Sequence, residues 1–188
     1  MGILLKKPCS GLRNTLKISS MCLVLDLRKG HGAYVAADRD IVCYKIVINS
    51  GNATCISGIK VKQGTLYSPY MLCEITEGEH KLPLKDNLVF MSSHRKCGNR
   101  VGSWKKDGNQ TMKDITRGFH TYVSKKDAYK SAKWLQKVAF SGSYAIRVHV
   151  IKAIIPKGTK YFRGITLENL PSYCSNRIKY VIDKSILI

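Results

Sequence analysis

Acidic residues are scarce in this chain, with 12 Asp and Glu against 32 Lys and Arg in 188 residues and a formal net charge of +20. So one-sided a balance repels itself in a compact fold and usually accompanies an anionic partner. Nucleic acid is the largest class of such partners, followed by nucleotides, phosphorylated ligands and acidic membrane surfaces. A lysine-rich surface that is simply solvated is the competing reading. Long apolar runs are also lacking. None approaches the roughly 20 residues of a transmembrane helix, so no membrane partner is expected. Ile3-Leu4-Leu5 is followed at once by Lys6, Lys7 and Pro8, which leaves no signal-peptide core, and Lys6 stands where a myristoylation pattern wants Ser or Thr. There is no internal repeat and no low-complexity tract.

Paired metal-ligand spacings are missing too. Seven cysteines stand at 9, 22, 43, 55, 73, 97 and 174, an odd number with no repeated interval. Several lie in apolar stretches, which reads as buried reduced thiols and a reducing cytoplasm. His94 and Cys97 have His-x-x-Cys spacing but no second pair, and Cys73 and His80 do not supply one, so no metal is expected. No local signature picks one thiol and one imidazole as a nucleophile pair. Gly30-His31-Gly32 lacks the third glycine and the following helix of a phosphate-binding loop, and no helix-turn-helix, zinc finger or paired RNA-binding aromatic motif occurs.

What is present begins with residues 1–20, a basic arm with Lys6, Lys7, Arg13 and Lys17 and no acid. Met21-Cys22-Leu23 is an alternative translation start, and a single α+β domain is expected over 21–188. Composition and length suit one buried core rather than two. A short strand is expected at Leu23–Leu27. Asp40–Asn49 alternates as a strand, Val42, Tyr44, Ile46 and Ile48 on one face and Cys43, Lys45 and Val47 on the other. Ser50-Gly51-Asn52 turns the chain toward a hairpin partner at Ala53–Lys62. A short strand is expected at Leu84–Met91, and Glu74, Glu77 and Glu79 form an acidic patch.

Ser92–Arg117 reads as a long basic loop. It carries Arg95, Lys96, Arg100, Lys105, Lys106, Lys113 and Arg117 against Asp107 and Asp114, and loops of that length are commonly functional. These residues, with exposed aromatics such as Trp104, Tyr122 and Tyr161, predict phosphate-driven, weakly specific nucleic-acid binding.

The stretch from Gly118 to Gly164 organises the rest. Phe119–Ser124 reads as a strand, and Ser124 with Asp127 three residues on opens a helix over 124–139. Ala128, Ala132, Leu135 and Ala139 recur as its apolar stripe, with Lys126, Lys130, Lys133 and Lys137 mostly off it. Tyr144–Ile155 is a β-branched strand whose buried parity switches near Val150, the mark of a bulge or of burial on both faces. Pro156-Lys157-Gly158 is a turn, and Arg177–Ile182 is the last strand. A curved, antiparallel-rich sheet with one principal helix follows.

The order Phe119-His120-Thr121-Tyr122-Val123-Ser124, helix, strand, Ile155-Pro156-Lys157-Gly158-Thr159-Lys160 and Tyr173-Cys174-Ser175-Asn176 resembles the ADP-ribosyltransferase fold across residues 38–183. The resemblance implies a cleft between Asp40–Ile48 and Gly118–Ser124. Within it Tyr122 would stack on a ring, Lys45 would meet a phosphate, and His120 and Arg177 would line the ligand. It departs at the place of the catalytic glutamate, where Asn176 and Arg177 stand. NAD chemistry there lacks the negative charge that stabilises an oxocarbenium-like transition state.

Met21-Cys22-Leu23, Asp40–Lys45, Gly118–Thr121 and Ile155–Tyr161 are similar to segments of small uncharacterised proteins encoded by gut bacteria and their phages. That resemblance implies a phage or mobile-element accessory protein in the cytoplasm of a bacterial host. The combined expectation is a non-enzymatic protein that binds an anionic ligand, nucleic acid or nucleotide, without a cofactor. A transferase-like enzyme and a phage structural or interaction protein are the alternatives.

Overall fold

The computed structural model describes residues 23–26, 34–51, 55–56, 59–69, 73–82, 91–92, 112–115, 118–140, 145–166 and 168–187. The basic arm and, apart from Lys113, the basic residues expected to bind nucleic acid at 92–117 (Arg95, Lys96, Arg100, Lys105, Lys106 and Arg117) lie outside them. In chain order the strands are β1 (Leu23–Asp26), β2 (Val35–Ala36), β3 (Ile41–Asn49), β4 (Cys55–Ile56), β5 (Ile59–Lys60), β6 (Leu66–Tyr67), β7 (Glu74–Ile75) and β8 (Gly78–Lys81). Then come β9 (Met91–Ser92), β10 (Met112–Ile115), β11 (Phe119–Tyr122), helix α1 (Lys125–Ala139), β12 (Arg147–Ile155), β13 (Lys160–Ile165), β14 (Pro171–Ser175) and β15 (Arg177–Val181). A 3₁₀ turn at Lys184–Leu187 follows. Among the described residues one α-helix lies on a curled antiparallel sheet, a single α+β domain.

β3 and β12 form the spine, paired residue for residue from Arg147 opposite Asn49 to Ile155 opposite Ile41. That unbroken register shows no bulge at Val150. The parity switch comes from burial on both sides: Val148 and Val150 pack toward the helix, while Ile151, Ala153 and Ile155 enter a second core on the opposite face. The first core joins Ile46, Ile48 and Tyr122 to the Ala128, Ala132, Leu135 and Ala139 stripe of α1. A third, smaller core gathers Leu23, Leu25, Ile115, Phe162 and Cys174. Ser50-Gly51 does turn the chain, with Gly51 at φ 46°, but the hairpin expected between β3 and 53–62 is replaced. β4 and β5 pair with each other, and β3 takes a partner about 100 residues further on. At the Asn49 end both edges of β3 are taken, one by β12 and the other by β6 at Ile48 and Asn49, so no edge is left there for 53–62.

The strand order β8-β15-β12-β3-β11-β14-β13-β1-β10-β9 explains the curl. β14 and β15 are separated in sequence by Asn176 alone, yet β12, β3 and β11 lie between them in the sheet. Four interstrand steps in a flat sheet span about 19 Å, whereas two peptide units reach about 7 Å. The sheet bends into a half-barrel so that one nearly continuous strand serves both arms.

Candidate nucleic-acid interface

Two regions carry the residues that matter, the outer face of α1 and the place where β3 changes neighbours. The helix starts where its cap chemistry dictates. Ser124 is extended, at φ −116° and ψ 147°, its Oγ accepts from the Asp127 amide at 3.1 Å, and the same hydroxyl donates to Asp127 Oδ2 at 2.7 Å. Burying the alanine–leucine stripe turns the opposite side to solvent. Lys126, Lys130, Lys133 and Lys137, at intervals of four, three and four, are all exposed along that crest. Eleven residues at 1.5 Å each spread the four ammonium groups over about 16 Å. Trp134 is 49% exposed and Val138 51%, while Tyr129, 44% exposed, has Lys125 Nζ 5.7 Å from its ring centroid. Asp127, the single acid of the helix, is occupied by the cap. Trp134 was not singled out in the sequence. Its place among Lys130, Lys133 and Lys137, off the Ala128, Ala132, Leu135 stripe, is the signal that marks it.

The residues expected to line the cleft sit deeper. On one edge β3 pairs with β11 at Tyr44 opposite Tyr122, and further along with β6 at Ile48 and Asn49. Between these pairs the ladder forks. Lys45 reaches into the fork, and its ammonium donates to the His120 carbonyl oxygen at 3.1 Å. Lys45 is 7% exposed, His120 8% and Tyr122 1%. Tyr122 donates to Ser131 Oγ at 2.9 Å, and Ser131 donates to Glu168 Oε2 at 3.1 Å, so the hydroxyl chain points into the helix contact rather than toward an open ring-stacking surface. Arg177 is not joined to this group. It lies two strands from β3 and forms a bidentate ion pair with the exposed Glu79. Of the acidic patch, Glu74 also meets a cation, Lys62, at 3.5 Å.

Electrostatics at the fork follow burial. Desolvation pushes the His120 imidazole down to about 3, helped by the nearby Lys45 ammonium, and it pushes Lys45 down as well. The Cys174 Sγ lies 3.7 Å from His120 Nε2, and burial drives that thiol up to about 12. Cys43 is raised to about 11 by burial, against the opposing influence of the Thr121 hydroxyl. A neutral imidazole beside a neutral thiol does not form the thiolate–imidazolium pair of an activated nucleophile. Gly118, at φ 133°, permits this approach of β11 and β14, because a Cβ there would lie 2.2 Å from the Cys174 sulfur.

Of the remaining expected contacts, Lys113 lies on β10 opposite Leu25 of β1, and Tyr161 on β13 packs edge-on against Tyr173. His94, Cys97 and Trp104 lie outside the described residues. Among the described residues no three His, Cys, Asp or Glu side chains cluster as metal ligands, and no helix is long and apolar enough to cross a membrane. Compared with family models, curated proteins and solved structures, the chain matches none.

Proposed function

We propose that this protein binds the phosphate backbone of nucleic acid, non-enzymatically, through the outer face of α1. The observation that carries the reading is the lysine crest: Lys126, Lys130, Lys133 and Lys137 are exposed on a helix whose apolar side is committed to the core. The net charge of +20 supplies long-range attraction to a polyanion. Arg95, Lys96, Arg100, Lys105, Lys106, Lys113 and Arg117 add further phosphate contacts in this reading. With Lys45, His120 and Tyr122 buried, a nucleotide in the fork is the less favoured form of the anionic ligand. In line with the resemblance of its segments, we place the protein as a phage or mobile-element accessory factor in a bacterial cytoplasm.

The test is a mobility-shift titration of wild type against a variant with Lys126, Lys130, Lys133 and Lys137 all changed to Gln. Loss of four phosphate contacts is expected to weaken binding by on the order of 100-fold at low salt, irrespective of sequence. Unchanged affinity would remove the crest from the interface.

The ADP-ribosyltransferase-like arrangement also belongs to this proposal. The order β11, α1, β12, turn, β14 and the curled sheet favour it, and Glu168 reaches Tyr122 through Ser131. The glutamate's expected place still holds Asn176 and Arg177, and neither supplies the negative charge that the transition state needs, Arg177 being paired with Glu79 away from the fork. Incubation with NAD is therefore expected to release nicotinamide only at background. Robust turnover abolished by Tyr122→Phe would promote the enzyme reading.

A further inference from the structure

Building on the backbone-binding reading, we infer that the α1 face selects single-stranded over double-stranded nucleic acid, with Trp134 as its base-stacking platform. The lysines explain attraction to any polyphosphate. They do not explain why three large apolar side chains, Tyr129, Trp134 and Val138, stand 44%, 49% and 51% exposed on the same helix. Trp134 follows Lys130 by one helical turn and precedes Lys137 by nearly one, so its neighbours on the crest side are cations. Val138 lies one turn beyond it and extends the apolar surface. An indole bracketed by ammonium groups offers a face for an unstacked base and point charges for the phosphates on either side of it. Bases of a duplex are already stacked on one another, so the exposed indole gains a partner only from a strand whose bases are free.

Charge complementarity commits this face to a polyanion, and the helix orientation selects the kind. A helix that docks on an anionic membrane buries its apolar side in the lipid boundary. The corresponding side of α1, Ala128, Ala132, Leu135 and Ala139, is already buried against β3 and β12. What remains outside is a cationic crest with Trp134 at its edge and Tyr129, already faced by Lys125, further round the helix, which suits a strand lying along the helix.

The chain has two tryptophans, so the measurement uses full-length protein carrying Trp104→Phe, which leaves Trp134 as the sole indole. Its fluorescence is followed during titration with an oligothymidylate of about 16 nucleotides, a duplex of the same length, and phosphatidylserine-containing vesicles, at about 50 mM and about 200 mM salt. The expected result is quenching by the single strand and affinity for it about tenfold or more above that for the duplex. Read instead by anisotropy of a dye-labelled oligothymidylate, Trp134→Ala is expected to lose roughly 5- to 100-fold on the single strand alone, with Trp134→Phe restoring most of it. Equal affinity for strand and duplex without quenching overturns the selectivity and leaves backbone binding intact. No binding to either nucleic acid overturns both readings. Quenching by vesicles but not by the oligonucleotide overturns the inference in favour of a lipid surface.

Discussion

Lys45 shows how a single side chain resolves a problem set by topology. Where β3 passes from β11 to β6, the His120 carbonyl has lost its place in the ladder, and a buried carbonyl left bare costs about 1–3 kcal/mol. The Lys45 ammonium takes it at 3.1 Å, itself held in a site that disfavours charge. His120 beside it stays neutral for the same reason. Its folded value of about 3 lies below the ordinary 6.5, so the unfolded chain takes up a proton first as pH falls. The stability due to a neutral His120 is therefore complete above pH 6.5 and is lost progressively between 6.5 and about 3. Near pH 5 that loss is about 2 kcal/mol relative to pH 7, from 1.36 kcal/mol per unit. Denaturant melts of wild type and His120→Gln at both values measure it. The wild type is expected to lose about 2 kcal/mol more than the variant between those pH values, and parallel losses would show that His120 is solvated. His149, also pushed down by burial, shifts both proteins alike.

Elements differ in how far their residues announced them. Ser124, Asp127 and the alanine–leucine stripe state the helix locally, and it forms over Lys125–Ala139 as their spacing predicts. β3 was legible from its alternation and β12 from its β-branched run, because those patterns depend on what each face meets. Their mutual pairing was not legible, since nothing near Asn49 points to Arg147. Short strands such as β7, β8 and β14 were hidden for a related reason. Two to five residues hold too little periodicity, and their ladders are supplied by neighbours distant in sequence. The fork was equally hidden: Lys45, His120 and Tyr122 could be named, but their burial depends on three strands and a helix arriving together. Gln136 illustrates such tertiary work on α1. Its amide oxygen accepts from the Val148 N–H at 2.9 Å and its Nε2 donates to the Ile146 carbonyl at 3.2 Å. β15 pairs with β12 only at Lys152–Ile154, so Gln136 serves the β12 backbone where that pairing does not reach. Gln136→Leu is expected to cost about 1–3 kcal/mol in thermal or chemical melts, through the backbone groups left unpaired. A change within a few tenths of a kcal/mol would mean that water replaces the amide without penalty.

At the scale of the whole molecule, the half-barrel and the charge divide the labour. The curl lets β14 and β15 serve both arms of one sheet, which gives α1 a continuous apolar floor across β3 and β12. With that side of the helix satisfied, Lys126, Lys130, Lys133 and Lys137 face outward together, and the net charge of +20 adds long-range attraction to that crest. Such a surface should act by releasing counterions from a polyanion, and its affinity should respond to salt more steeply than to sequence. The decisive measurement is fluorescence anisotropy of a labelled oligonucleotide across a salt series, for wild type and for the variant with Lys126, Lys130, Lys133 and Lys137 changed to Gln. Wild type is predicted to show a steep linear fall of log K with log salt, and the variant a slope shallower by about 3, from about 0.7 per lysine on a single strand. Salt-independent binding, or identical slopes in the two proteins, would contradict the assignment of α1 as the nucleic-acid interface.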